Sequence, residues 1–233
     1  MRNYLVPELA AIADGFPKLD LADLASTREF IRLAAAHRPA YDSNRTLSVT
    51  DVAIPGYHGE PDVAGRVYAR VDAREAVPGL IYLFGGVYVA GSIHTIDYDS
   101  RLLADQAGIA VVALVDVPVW QPRNSPYSWG HYLRGTAQPG QADVPLYAAP
   151  GRATIDDVAD LPPAFVTSYQ VDPTRDEGLH YALTLIQAAV PTDLHHYAGA
   201  LHVAHSVVPA TTIGARMITD RLEAIRRLLV NPQ

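Results

Sequence analysis

The chain contains no cysteine, which excludes disulfides, thiolate catalysis and cysteine-ligated zinc and leaves the redox compartment open. Positive charge is in deficit: 18 Lys and Arg stand against 25 Asp and Glu, a net charge of −7. Nucleic acid and anionic membrane surfaces therefore have no electrostatic support as partners. No apolar run approaches the ~18 residues of a membrane span, and the opening MRNYLVPELAAIADG has no uninterrupted apolar stretch of the signal-peptide kind. A cytoplasmic location is the expectation. Repeats and low-complexity segments are absent as well. What is present is 233 residues, 49% hydrophobic and only 18% charged. That is ample for a packed core and too poorly charged for a disordered chain, so a single domain spanning 1–233 is expected.

The stretch that organises the chain is PGLIYLFGGVYVAGS, residues 78–92. A short apolar run, Leu80–Phe84, is bounded by proline and by Gly85-Gly86, the pattern of a buried strand in an α/β sheet followed by a sharp turn. Ligands in such sheets bind outside the carboxyl ends of the strands, which directs attention to this turn. Around it, Leu5, Leu9 and Ile12 predict one short helix, and Phe30, Ile31 and Leu33 a second, capped by Asp23 or Ser26 and stopped by Pro39. Thr46–Ile54 and Val63–Val71 alternate as a hairpin. Thr95–Gly108 reads as a helix and Ile109–Val115 as a second buried strand. Residues 116–160 are rich in proline and glycine with one short helix candidate, Tyr127–Leu133, an unusually long irregular stretch for a compact domain. Ala164–Val171 is a third buried strand. Asp176–Ala189 is a helix with Leu179, Ala182, Leu183 and Ile186 on its inner face, and Asp193–Tyr197 is a short strand. A final helix turns Ile218, Leu222, Ile225 and Leu229 inward.

Three of these stretches, taken together, resemble one family. LIYLFGGVYVAGS is similar to LIYFHGGGFVxGS, the oxyanion-loop signature of the hormone-sensitive-lipase family of α/β-hydrolases. LPPAFVTSYQVDPTRDEGLHYALTLIQAAV resembles that family's acid motif, LPPAxxxxGExDPLRDEGxxYAxxLxxAGV, and LHHYAGALHVAH its histidine motif, LHxYPGxxHGF. Residues 1–42 resemble the family's N-terminal cap helices and 116–160 its cap segment, over a mostly parallel sheet with flanking helices. The resemblance implies an esterase that uses a strained serine elbow, a histidine base and an orienting carboxylate, without cofactor or metal. It maps the carboxylate onto Asp172, the base onto His202, and the oxyanion donors onto Gly85 and Gly86. Phe84 stands where the family has histidine, and Val87 where it has a third glycine.

The serine is the part that does not match. None of the nine serines has glycine two residues before and two after it. Val115 runs directly into Asp116-Val117-Pro118-Val119-Trp120, which the family carries beyond the nucleophile strand, so a block on the order of 60 residues is missing. Ser92 and Ser128 are the candidates for a replacement. Without that block the strand at Leu80–Phe84 lacks a neighbour. Either Ala164–Val171 moves in beside it within a six-stranded sheet or a second copy covers it as a homodimer. Three functions fit this pattern. The first is a degenerate relative that binds small apolar acyl or ester-like molecules without serine hydrolysis. The second is an enzyme using His202 and Asp172 for water-mediated ester hydrolysis, elimination or cyclisation. The third is an interaction protein or inert remnant joined through its sheet edge. Blander readings stay open for single residues: Asp172 as a strand-end helix cap, and His202 as an ordinary loop histidine. His195, His196, His202 and His205 form no metal-binding motif, since neighbours on a strand face opposite ways. Trp120, Tyr127, Trp129 and Tyr132 read as cap packing.

Overall fold

The computed structural model describes residues 4–15, 20, 22–38, 40–55, 62–73, 75–83, 93–114, 129, 133, 137–138 and 140–230. In chain order its elements are α1 (Pro7–Ile12), α2 (Leu24–His37), β1 (Leu47–Ile54), β2 (Val63–Arg70), β3 (Gly79–Leu83), α3 (Ile93–Ala107) and β4 (Ala110–Leu114). Then follow α4 (Ile155–Val158), β5 (Ala164–Val171), α5 (Arg175–Gln187), β6 (Thr192–Leu201), α6 (Ala204–Val207) and α7 (Thr212–Ile225). The chain divides into two compact units, Met1–Leu19 with Val119–Ile218 and Asp20–Pro118 with Thr219–Gln233.

The second of these units is built on four strands in the order β1-β2-β4-β3. β1 and β2 form the expected antiparallel hairpin, with Leu47 opposite Arg70 and Ile54 opposite Val63. β4 runs antiparallel to β2 and parallel to β3. Asp23 starts α2 by accepting the Ser26 N–H at 3.1 Å, satisfying one of the free donors of a first helical turn. α3 buries Ile96, Leu102, Leu103 and Ala107 and packs on β2 and β4. It stops at Gly108, whose φ of +69° costs a glycine little. The same helix buries two carboxylates. Asp99 receives Arg221 at 3.2 Å and Arg38 at 3.5 Å, while Asp105 accepts the Tyr41 hydroxyl at 2.9 Å and the Asn44 N–H at 3.2 Å. Charges persist in a core only when paired or bonded in this way. Among the described residues β3 is the last strand of this sheet, with Ile81 and Leu83 exposed by 67% and 70%.

The other unit carries a parallel pair, β5 and β6, with Ala164 opposite Thr192 and Ser168 opposite His196. Alternation along β5 gives two apolar faces. Val166 joins Ala153, Val158, Leu185 and Val190 on one. Tyr169 joins Leu9, Tyr197, Ala200, Ala204, Ile213 and Met217 on the other. The N-terminal segment is stitched to this second face. The Val6 N–H donates to the Gly199 carbonyl at 2.9 Å, and Glu8 receives the Thr212 and Ile213 N–H groups, each at 3.0 Å. Glu8 thus closes the first turn of α7 from far away in sequence. Gly199 has φ +73° and lies so close to this segment that an added Cβ would sit 2.6 Å from Val6 Cγ1.

Two expectations are corrected here. Among the described residues the six strands fall into a four-stranded and a two-stranded sheet rather than the expected six-stranded one, and Ala164–Val171 pairs with β6. The β5–β6 pairing is local: α5 returns the chain directly to a parallel neighbour, and a short crossover closes at low entropic cost. The inner face of α5 is also rotated from the expected one, because Leu183 and Ile186 are 49% and 48% exposed while Thr184 and Leu185 are buried. Thr184 can turn inward because its hydroxyl donates to the His180 carbonyl at 3.0 Å. Of the helix expected over Tyr127–Leu133, only Trp129 and Leu133 are described.

Candidate active site

β5 ends at Val171, which places Asp172 at the carboxyl end of a parallel strand. The chain turns there toward α5, and Thr174 holds the carboxylate through two bonds. Its N–H and its hydroxyl both donate to Asp172 Oδ1 at 2.8 Å, a local turn that aspartate favours. Oδ2 is left to face the end of the neighbouring strand. β6 ends at Leu201, and the next residue, His202, brings Nδ1 to within 2.6 Å of Asp172 Oδ2. An ionised carboxylate only accepts, so Nδ1 carries the shared hydrogen and Nε2 keeps its lone pair in the neutral ring. Among the described residues Asp172 is the one hydrogen-bond partner of the His202 ring.

The pair has one enclosed member and one open member. The Asp172 side chain is 3% exposed and that of His202 29%. Burial pushes the Asp172 carboxyl up. The His202 hydrogen bond, attraction to the imidazole and the two Thr174 donors together outweigh it, so the group titrates below its ordinary range. The Tyr169 and His202 rings meet at 78° with centroids 5.9 Å apart, and Tyr169 stacks on Tyr197 at 6.1 Å. The imidazole is thereby packed as well as hydrogen-bonded.

The backbone beside the histidine is strained. Val203 has φ +46° and Ala189 φ +60°, the two non-glycine residues with positive φ among those described. The left-handed region costs a residue with a Cβ roughly 1–2 kcal/mol, and a β-branched one is an outlier there. In the motifs quoted above, glycine occupies both positions, and a third glycine stands where this chain has Tyr169. Sequence reasoning therefore found the two central residues and missed two that support them, Thr174 and Tyr169. Their signal was present as departures from the quoted acid motif, which has leucine and glycine there.

Gly85, Gly86, Phe84 and Val87, expected around a developing oxyanion, lie outside the described residues, as do Ser92 and Ser128. Ser168 is 2% exposed and bonds its hydroxyl to His196 Nδ1 at 3.3 Å, away from His202. Among the described residues no group of three His, Cys, Asp or Glu could hold a metal ion, and no helix is long and apolar enough to cross a membrane. The described arrangement can orient a base and keep its outer nitrogen available to a ligand or to water.

Comparison with known proteins follows the same residues. Residues 113–206, which contain Asp172 and His202, match the model of a family described as having the alpha/beta hydrolase fold. Esterase LipI of Mycobacterium tuberculosis is 42% identical over 79 residues, covering 31% of this chain and 24% of that protein. Carboxylesterase NlhH of the same species is 33% identical over 100 residues, covering 40% and 30%. The aligned stretches thus span about a quarter to a third of the length of these curated relatives. Among solved structures, a bacterial heroin esterase superposes with a TM-score of 0.86 at 26% identity, over 97% of this chain and 98% of that one. Esterase LipW from Mycobacterium marinum superposes with a TM-score of 0.75 at 21% identity, over 96% of each chain. The expected α/β architecture is borne out in these superpositions.

Proposed function

We propose that this chain is a truncated, degenerate relative of the hormone-sensitive-lipase esterases, a reading supported by the match over residues 113–206 and by the esterases it resembles. In this reading it binds small apolar acyl or ester-like molecules beside His202 and does not turn them over by the serine route. One observation carries the reading: none of the nine serines stands in Gly-x-Ser-x-Gly. An acyl-enzyme needs a hydroxyl held against its base on a strained turn, and an oriented imidazole by itself supplies half of that device. Gly85, Gly86, Phe84 and Val87 remain the residues assigned to the ligand's carbonyl end.

The 2.6 Å bond from His202 to a buried carboxylate favours a second reading, in which Nε2 activates water. General-base catalysis of that kind is worth about 10²–10⁴-fold. The readings separate on p-nitrophenyl butyrate, assayed with the intact protein, His202→Ala and a fluorophosphonate probe. No turnover above the alanine variant, with a non-hydrolysable phosphonate-free ester analogue still bound, is the result expected. Turnover that requires His202 and ignores the probe selects the water mechanism, and labelling by the probe overturns both. We further propose a cytoplasmic protein without cofactor. Its exposed Ile81 and Leu83 on an edge strand favour a homodimer, which a monomer mass in light scattering at micromolar concentration would remove.

A further inference from the structure

A cavity whose lining does not include His202 lies within the two-stranded unit, between residues 140–152 and the first two turns of α5. Its volume is about 480 Å³, inside the ~300–1,000 Å³ range of small-molecule sites and several times the ~150 Å³ that takes up benzene. Trp129 and Tyr181 supply aromatic walls, and Val144, Ala148 and Pro150 supply apolar ones. Tyr181 packs against the cluster around Leu185 and Val190, so that wall is backed by core.

Two charged residues reach the cavity, and they are differently engaged. Arg152 donates through NH1 to the Gln141 carbonyl at 3.0 Å and through NH2 to the Ala142 carbonyl at 3.4 Å. It therefore holds the cavity's own wall together, as a brace. Glu177 lines the cavity from α5, beside Gly151. Among the described residues none hydrogen-bonds or ion-pairs with its carboxylate, while the neighbouring Asp176 is taken by Arg175 at 2.7 Å. Arg152 is turned onto the wall carbonyls and Glu177 is not, so Glu177 is the charged group left to meet a ligand, and a cation on an apolar body suits it. The carboxylate takes the charge, and the faces of Trp129 and Tyr181 attract the same charge through their quadrupoles.

We propose that this cavity is a binding site for a small primary amine carried on one or two rings, with Glu177 as the recognising group. The site stands independently of what the His202–Asp172 pair does, although Thr174 lines the cavity and also holds Asp172. The test uses 2-phenylethylamine, its uncharged counterpart 2-phenylethanol and its anionic counterpart phenylacetate. Binding to the intact protein is measured by calorimetry and by tryptophan fluorescence. The amine is expected to bind at least on the order of tenfold more tightly than the alcohol, a preference that Glu177→Gln removes while leaving the alcohol unchanged. Gly178→Leu is the control for place. A Cβ at Gly178 meets nothing within 4 Å, so the new side chain fills the cavity without disturbing α5, and binding of both ligands is lost with the melting temperature kept. His202→Ala should bind the amine as the intact protein does. Equal binding of amine and alcohol, a preference for phenylacetate, binding that survives Gly178→Leu, or no binding at all would each overturn the proposal.

Discussion

The four-stranded and the two-stranded units each bury carboxylates, and the fate of the partners separates them. In the four-stranded unit Asp99 sits between two guanidinium groups, and Asp105 is bonded to Tyr41 and Asn44. Arg45, 46% exposed, also stands 3.6 Å from Asp105, and none of these partners offers a basic nitrogen beyond its bond. In the two-stranded unit Asp172 is as enclosed as they are, and its partner is an imidazole with a second nitrogen beyond the bond. A buried carboxylate is thus no sign of a working site by itself. What sets Asp172 apart is a partner held at one nitrogen with a second nitrogen left over. Backbone strain falls the same way: Ala189 and Val203, the left-handed residues bearing a Cβ, both belong to the two-stranded unit. Strain of this kind collects where surrounding structure over-determines a position.

Substitutions in the two units should therefore differ in size and in sign. The largest effect is expected from Asp99→Asn, which leaves Arg38 and Arg221 facing each other without compensation. Breaking a buried pair costs about 3–5 kcal/mol, read as a fall in the urea midpoint. Next is Gly199→Ala, where an L-residue at φ +73° must also push against Val6. A loss of about 2 kcal/mol or more is expected, and a variant as stable as the parent would show that the N-terminal segment is not seated there. Val203→Gly reverses the sign. Removing a β-branched side chain from φ +46° should raise stability by about 1 kcal/mol, after allowance for the extra freedom of glycine in the unfolded chain. If the strain positions His202, this gain comes with a weaker Asp172 contact, visible in the imidazole NMR shifts. Ala189→Gly at the end of α5 should gain up to about 1 kcal/mol with no change at His202.

The smallest effect is the pH dependence. The folded Asp172 carboxyl titrates below its ordinary value, as does Glu8, which is lowered by the Ile213 and Thr212 N–H groups. The unfolded chain takes up these protons first. Their contribution is therefore complete above the ordinary carboxyl range and disappears as pH falls through the lowered folded values. Melting temperature measured downward from pH 7 should decline with a shallower slope in Asp172→Asn than in the parent.

Much of this architecture could be read from the chain because it is local. The Asp23 cap, the β1–β2 hairpin, the stop at Gly108 and the span Ala164–Val171 depend on neighbours within a few residues or on strict alternation. Asp172 and His202 were legible for another reason, since each falls within a motif that resembles the family's. The face of α5 was not. Leu183 and Ile186 are apolar, but which side of a short helix is covered depends on what packs against it, and here that is a turn-rich segment with little periodicity. The division into two sheets was illegible too, because a strand's hydrophobicity does not say which other strand it will meet. Glu8 lay beyond any local rule: its donors are 204 and 205 residues away.

That separation sets the order in which the molecule can be finished. During synthesis, at roughly 5–20 residues per second, α1 emerges on the order of 10–40 s before Thr212 and Ile213 do. Leu9, fully buried in the finished unit, has no permanent cover in that interval, and α1, six residues long, is too short to persist alone. The two-stranded unit therefore has high contact order, with its last stitch made between its earliest and its latest segments. Of the two units it is the one whose maturation on the ribosome would lean on a holding chaperone.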